Sequence, residues 1–408
     1  MPAEYTGNFQ LMAKPGGSIC NIACDYCFYL EKENLYPHRK QNWRMSDETL
    51  ENYIKQNIAA QEANTVDFLW QGGEPTLLGI DFYQRAVNLQ EKYRGTKTLN
   101  NYFQTNGINI DDKWAAFFKR HHFLVGISLD GNQLHHDRYR KTIAGKSCFD
   151  AVMAGIKALQ LHDVAWNTLT VVSAENVRYP LEIYHFLKRI GSRYMQFIPL
   201  AERKAAQPDK QGLTLVHPEF SGVCQVAPWS VNPTQWGAFL NTIFDNWLLN
   251  DLGSVFVINF EQMLSKMVGQ NAACTLSETC GGNLIVEANG DVYSCDHFVF
   301  PEHLLGNLNH QELKLLVNSP QNRAFGAKKQ IAAGSDCCRC EYRPLCNGGC
   351  PKYRFMPDRS GIPRHNYFCQ SVKLHLNHIL PKCNELLRML AQQHSYKKIR
   401  KQIKNSFY

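Results

Sequence analysis

The chain runs to 408 residues, 44% of them hydrophobic, with seven Trp, enough for one large globular domain or two ordinary ones. No stretch approaches about eighteen consecutive apolar residues, and the opening MPAEYTGNFQLMAKPGG has neither a basic n-region nor an apolar h-region, so a cytoplasmic protein is expected, without a membrane partner. The formal charge of +8 is weak evidence for nucleic acid, because five of the positive charges, Lys397, Lys398, Arg400, Lys401 and Lys404, fall in a terminal KKIRKQIK that reads as a solvated tail.

From residue 8 to about 200, short β-rich runs alternate with helical ones, the pattern of βα units on a parallel sheet. Six strands are predicted: FQLMAK, VDFLWQ, NYFQT, FLVGISL, VAWNTLTVV and YMQFIPL. Between them lie helices at SDETLENYIKQNIAAQEA, where Ser46 can cap and Asp47 and Glu48 favour the N-terminus, and at IDFYQRAVNLQEKY, DDKWAAFFKRH, CFDAVMAGIKALQLH and YPLEIYHFLKRIG. Residues 201–235 are polar, Pro-containing and aperiodic, a long loop of the kind that covers sites. A helical pair follows at 236–268. A Gly- and Cys-rich region then runs from 274 to 370, with one hairpin, NLIVEANGDVYSC, turning on Asn-Gly. A helix over 371–395 is interrupted at Pro381. The predicted organisation is a barrel domain with a lid loop (1–235), a helical connection (236–273), and a Cys-rich domain with a C-terminal helix (274–408).

Fifteen cysteines in a chain without an export signal point to metal rather than disulfides. Three lie at 20 to 27 and nine between 274 and 369; Cys148, Cys224 and Cys383 read as ordinary buried thiols. Cys20, Cys24 and Cys27, in CNIACDYCFY, follow the first predicted strand, at the rim where βα barrels place chemistry. A structural zinc closes its shell with four ligands, and the nearest candidate, His38, is eleven residues past Cys27. A [4Fe-4S] cluster on three thiolates leaves one iron open to a ligand.

This spacing, with Tyr26 before the last cysteine, resembles the signature of radical S-adenosylmethionine enzymes, in which the open iron takes the amino and carboxylate groups of S-adenosylmethionine. The resemblance implies a partial (β/α)6 TIM-like barrel. It also makes QGGEP meaningful: Gly72, Gly73 and Glu74 would receive the methionine amino group, although a Gly-Gly turn ending a strand is the plainer reading. TNG (Thr105–Gly107) and SLDG (Ser128–Gly131) end the next two strands. Ser128 and Arg140 are then implied as contacts to the ribose or carboxylate, with turn chemistry as the alternative.

Downstream, CCRCEYRPLCNGGC with a distal Cys369 resembles the SPASM extension of peptide-modifying radical enzymes, a Cys-rich domain with a β-hairpin and a C-terminal helix. The resemblance implies interleaved ligation, with Cys274, Cys280, Cys295 and Cys350 on auxiliary cluster I and Cys337, Cys340, Cys346 and Cys369 on auxiliary cluster II. Cys338 could replace Cys337 or be a bystander. Two zinc ions would also fill eight thiolates.

Across roughly residues 8–380 the motifs are similar, in order, to those of anaerobic sulfatase-maturating enzymes, which convert a Cys or Ser of an unfolded sulfatase precursor into Cα-formylglycine. The implied equipment is three [4Fe-4S] clusters, S-adenosylmethionine, a C/S-x-P-x-R peptide and a low-potential donor such as flavodoxin or ferredoxin, in a monomer. Asp296, directly after Cys295, is the implied general base; the oxidation removes one hydrogen atom and one proton, and a carboxylate beside a cluster suits the proton. Its alternative role is capping the hairpin exit. Tyr29 and Gln71 are rim candidates for contacting the peptide. The rival within the class is a SPASM enzyme forming a thioether or carbon-carbon crosslink; Asp296 and a first strand within about ten residues of Met1 count against it. The rival outside it is a zinc-ribbon nucleic-acid binder.

Overall fold

The computed structural model describes residues 9–36, 42–208, 212–270, 272–331 and 334–408. His38, residues 1–8 of the first predicted domain and 209–211 of the predicted lid lie outside the described residues. The six predicted strands are present: β1 (Gln10–Lys14), β2 (Thr65–Trp70), β3 (Thr98–Thr105), β4 (Leu124–Ser128), β5 (Ala165–Val172) and β6 (Tyr194–Pro199). They are parallel and hydrogen-bonded in chain order. Parallel neighbours need crossovers, supplied by α1 (Asp47–Ala60), α2 (Ile80–Tyr93), α3 (Asp112–Arg120), the single turn α4 (Gln133–His136), α5 (Phe149–Leu161) and α6 (Pro180–Arg189). Ser46 Oγ accepts from Thr49 N at 3.1 Å and opens α1, as its sequence indicates. On the helix-covered face Val66, Phe68 and Trp70 alternate inward and pack on Tyr53 of α1 and Tyr83 of α2.

The sheet is wider than the predicted six strands. After β7 (Arg203–Ala205), β8 (Cys224–Val226) and α7 (Pro233–Asn250), the two-residue β9 (Phe256–Val257) pairs with β6, and α8 (Ile258–Met267) follows at once. On the opposite edge β10 (Asn283–Glu287), first strand of the predicted hairpin, runs parallel to β1, with Lys14 facing Glu287 in register. β11 (Asp291–Tyr293) and β12 (Leu304–Asn307) extend that edge as an antiparallel meander, giving ten strands in the order β12-β11-β10-β1-β2-β3-β4-β5-β6-β9. The Cys-rich region is thereby stitched to the barrel's first strand.

The rest of that region is short: α9 (Leu313–Val317), α10 (Pro320–Ile331), α11 (Ser335–Cys338), α12 (Arg343–Cys346), then β13 (Met356–Pro357) paired with β14 (Pro363–His365). α13 (Cys369–Ala391) runs unbroken through Pro381, contrary to expectation. Leu376, Ile379, Cys383 and Leu386 form a buried stripe across that point while Pro381 faces outward, so burial against α7 outweighs the lost hydrogen bond.

Three further expectations are corrected. The charges of the KKIRKQIK tail do face solvent, but the segment is folded as part of α14 (Tyr396–Phe407), whose Ile399 and Ile403, one turn apart, are fully buried as the helix packs on α7 and α13. Residues 201–235 are not structureless, since β7 and β8 pair antiparallel and Asn232 caps α7 through Thr234 N at 2.9 Å. Cys148 and Cys383 are buried thiols, but Cys224 is only half-buried, beside the Arg203 guanidinium.

Because Ile399 is one of only two side chains that α14 buries, Ile399→Ala is expected to cost about 2–4 kcal/mol in urea denaturation. Lys401→Ala, on the exposed face, should change stability by less than about 0.5 kcal/mol. Equal effects would mean the helix is not docked.

Candidate active site

A cavity of about 770 Å³ opens at the C-terminal ends of the strands and is walled by both the barrel and the Cys-rich region. Cys20, Cys24 and Cys27 lie on its wall, on the loop after β1. That loop is fixed by backbone bonds: Ala23 N donates to Lys141 O (2.9 Å) and Cys27 N to Cys24 O (3.0 Å). Burial raises the Cys20 thiol to about 11 and the Cys24 thiol to about 12, while Ile22 and Asn21 amides oppose the rise at Cys20. Aiming amides at sulfur in a buried pocket suits a ligated thiolate better than a free thiol.

QGGEP lies against this loop. Gly73 N donates to Gly17 O (2.7 Å) and Glu74 N to Ile19 O (2.8 Å). A Cβ on Gly73 would meet the Ile19 carbonyl oxygen at 2.1 Å, and Gly72 sits at φ +146°, so the paired glycines are a crossing of two backbones rather than only a turn. Glu74 does not face the cavity. Its carboxylate accepts from Thr76 N, Thr76 Oγ1 (2.6 Å), Thr105 Oγ1 (2.7 Å) and Asn106 N (2.8 Å), clamping the loop after β2 to the loop after β3. Burial raises its affinity for a proton and these four donors oppose it.

Of the other predicted contacts, Ser128 Oγ lies on the cavity wall and accepts from Gln104 Nε2 at 3.1 Å. Arg140 and Tyr26 also line it, but both converge on Asp130, which accepts from Tyr26 OH (2.6 Å) and Arg140 Nε (2.8 Å) and is itself held by Val171 N (2.9 Å). Asp130 was not singled out in the sequence, although it is the aspartate of SLDG. Gln71 is on the wall with a buried Oε1 that has no hydrogen-bond partner among the described residues. Tyr29 donates its hydroxyl to Glu287, and Lys14 Nζ sits 3.5 Å above its ring.

Asp296 also lines the cavity, ion-paired with Lys14, which is 2% exposed. Burial works against its charge, but Lys14, His297 and Lys32 outweigh burial and hold it well below the carboxylate range. Its carboxylate points into the cavity at a cation and caps no helix. Lys32, which donates to the Asp296 carbonyl (3.3 Å), is brought down to about 7 by burial, Asp296 opposing and Lys14 assisting. Lys352 pairs with Glu202 at 2.5 Å and covers the Phe28 ring at 4.4 Å. Lys14, Lys32, Glu202 and Lys352 were missed in the sequence; only Lys14, an inward-facing charge closing an apolar strand, left a legible sign there.

The eight downstream cysteines fall into two groups. Burial raises Cys280, Cys295 and Cys350, and sulfur neighbours add to it: Cys350 and Cys274 for Cys280, the same two for Cys295, and Cys274 for Cys350. Burial likewise raises Cys337, Cys346 and Cys369, whose sulfur neighbours are Cys340 and Cys338 for Cys337, Cys337 and Cys340 for Cys346, and Cys346, Cys337 and Cys340 for Cys369. Four thiolates on one zinc, at about 2.3 Å each, would crowd within about 4 Å of one another. Among the described residues no group of three cysteines is that tight; the one compact trio of ligand atoms is His136, Asp137 and Cys148. No four-thiolate zinc shell is therefore preassembled among the described residues.

Matches to protein families fit this geometry. Residues 15–187 match the radical SAM superfamily and 274–341 an iron-sulfur cluster-binding domain named SPASM, so the fold and site are those of a radical S-adenosylmethionine protein. The chain is 41% identical over 404 residues, 99% of itself and 97% of the relative, to a serine-type anaerobic sulfatase-maturating enzyme of Bacteroides thetaiotaomicron. It is 34% identical over 95% of itself and 100% of a cysteine-type enzyme of Clostridium novyi. A solved structure, native anSMEcpe with bound AdoMet and Cp18Cys peptide, superposes with a TM-score of 0.80 at 29% identity, covering 93% of this chain and 99% of that one. The chain belongs to the anaerobic sulfatase-maturating enzymes. No helix among the described residues is long and apolar enough to cross a membrane.

Since the Gly73 Cα lies where two backbones meet, Gly73→Ala is expected to cost about 1–3 kcal/mol in denaturant unfolding. An unchanged midpoint would show that the crossing has slack.

Proposed function

We propose that the chain oxidises a Cys or Ser side chain in an unfolded sulfatase segment to Cα-formylglycine, with one [4Fe-4S] cluster on Cys20, Cys24 and Cys27 and two more on the four-cysteine groups. The observation that carries this is a single cavity with three thiols spaced for a cluster on one wall and a carboxylate held ionised on another. When bound, the groups supply redox chemistry: a hydrogen-abstracting radical from S-adenosylmethionine at the three-cysteine site and electron uptake at the four-cysteine sites. A flavodoxin- or ferredoxin-type protein is the proposed electron donor, and the chain acts as a monomer in the cytoplasm.

The chain's own residues bind, orient and move a proton. Gly72 and Gly73 present bare backbone beside the cysteine loop, where the amino-acid end of the nucleotide would lie, while Ser128 and the Asp130-held Arg140 lie further along the same wall. Glu74 serves by fixing the two loops rather than by touching the cofactor. The unpartnered Gln71 Oε1 is placed to accept a peptide N–H. Asp296 accepts the proton from the target SH or OH, and Lys14 keeps it ionised for that role; from a Cys target the product is a thioaldehyde, which water hydrolyses to the aldehyde with loss of hydrogen sulfide. Phe368, Leu376, Trp236 and Leu240 make the deeper wall apolar, which excludes water from the reacting carbon.

The predicted lid, residues 201–235, acts through its described parts, 201–208 and 212–235, as a strap over the opening. Thr214 N and Leu215 N donate to Glu31 (2.8 and 2.9 Å), and Glu202 holds Lys352 from the opposite side.

Two outcomes test the reading. Anaerobic incubation with S-adenosylmethionine, reductant and peptides carrying C-x-P-x-R or S-x-P-x-R should yield an aldehyde by mass spectrometry, and neither peptide reacting would refute it. Asp296→Asn should lower aldehyde formation by about 10²–10⁴-fold while 5′-deoxyadenosine still forms; parallel loss of both products would deny Asp296 its proton role. For the strap, Glu31→Ala should raise the 5′-deoxyadenosine released per peptide oxidised, and an unaltered ratio would rule the strap out as a seal.

A further inference from the structure

Two buried cations lie among the eight downstream cysteines with no carboxylate among the described residues paired to them. Lys329, on α10, is 1% exposed, and its Nζ donates to the carbonyls of Cys274 (2.7 Å), Thr275 (3.1 Å) and Ser277 (2.5 Å). Arg354 is 9% exposed and donates to Gly348 O (3.1 Å), Asn347 O (3.0 Å) and Lys329 O (2.5 Å). All six acceptors are backbone carbonyls, and among the described residues neither side chain forms an ion pair. Elsewhere in the protein Lys14, Lys352 and Lys382, comparably buried, each have a carboxylate: Asp296, Glu202 and Asp245.

An unpaired buried cation is costly unless an anion arrives. The anions within reach are sulfurs. Burial weakens the hold of Lys329 on its proton and Cys280, Cys350 and Cys274 oppose that; for Arg354, burial is opposed by Cys337, Cys280, Cys350 and Cys346. Lys329 thus belongs to the first four-cysteine group, and Arg354 stands between the two. Arg354 is also built in, because Asn347, Gly348 and Gly349 are left-handed in succession (φ +48°, +73°, +63°), which turns the Asn347 and Gly348 carbonyls toward its guanidinium. A Cβ on Gly348 would meet Arg354 Nη2 at 2.5 Å.

We propose that Lys329 and Arg354 are the fixed positive charges that set the redox level of the two four-cysteine centres, making both readier to accept an electron. Net charge and hydrogen bonding around the sulfurs govern iron-sulfur potentials. A cation held in a low-dielectric site favours the reduced, more negative state, so it raises the potential. The inference rests on the four-cysteine groups holding clusters, as set out above.

The test is a redox titration followed by electron paramagnetic resonance on the full chain, reconstituted anaerobically, in a Cys20→Ala, Cys24→Ala, Cys27→Ala background that leaves only the auxiliary signals; iron is counted in parallel. Lys329→Gln should lower the midpoint of one signal and Arg354→Gln the midpoints of both, whereas Lys329→Arg and Arg354→Lys, which keep the charge, should stay near the parent. Unchanged midpoints in the glutamine variants at full iron would overturn the proposal, as would equal shifts in the charge-keeping variants. If both glutamine variants lose iron, the two residues hold loops rather than set potentials, and the proposal also fails. A parent that binds no iron would instead refute the cluster reading, a separate result.

Discussion

A lysine at the end of an apolar strand has to meet an anion or reach water, and Lys14 does not reach water. Its partner Asp296 comes from far along the chain, beyond the Asn-Gly hairpin. The pairing is possible because β10 adds in parallel to β1 with Glu287 level with Lys14, and Glu287 in turn receives the Tyr29 hydroxyl. A buried lysine and a buried carboxylate, with Asp296 half-buried beside them, are tolerable only as a satisfied set. Most of the site geometry follows from this contact: it brings the Cys-rich region onto the barrel rim, turns the carboxylate into the cavity, and fixes the loop between Cys27 and Tyr29.

The opposite wall is fixed by backbone rather than charge. Four rim loops are tied to one another: the cysteine loop to residues 139–142, the same loop to Gly73 and Glu74, and Glu74 to the loop after β3. Loops held this way lose little entropy when a ligand binds. They also have little tolerance for added bulk, because a Gly73 side chain would displace main chain rather than a movable side chain.

What was legible in the sequence is what local pattern encodes. Alternation gave β1 to β6, the cap at Ser46 gave the start of α1, and the cysteine spacings with QGGEP pointed to the rim. The pairing of β10 on β1 left no mark, since a parallel partner is chosen by tertiary packing and not by the alternation within either strand. β9 is too short to show a period. Pro381 and the basic tail misled for one reason: local propensity and charge were weighed, while the buried stripes at Leu376–Leu386 and Ile399–Ile403 decided the outcome. Asp130 and Arg354 were passed over because each looks like an ordinary polar loop residue, and only their buried partners identify them.

The placement of Asp296 next to Cys295 has a chemical logic that neither residue has alone. In the proposed oxidation the substrate, once its carbon has lost a hydrogen atom, must give up the hydroxyl or thiol proton and an electron. Losing the proton leaves a more negative species that parts with an electron more easily, so an acceptor for each at one place is more effective than two acceptors at separate ones. Consecutive residues of one chain achieve that without any motion. Lys14 serves the first acceptor by keeping its carboxylate charged, and the carboxylate-free surroundings of Lys329 and Arg354 serve the second by welcoming negative charge. On the proposed reading the cations are divided by task, Lys14 with its carboxylate partner governing the proton, and Lys329 and Arg354, which face carbonyls and sulfurs, governing the electron.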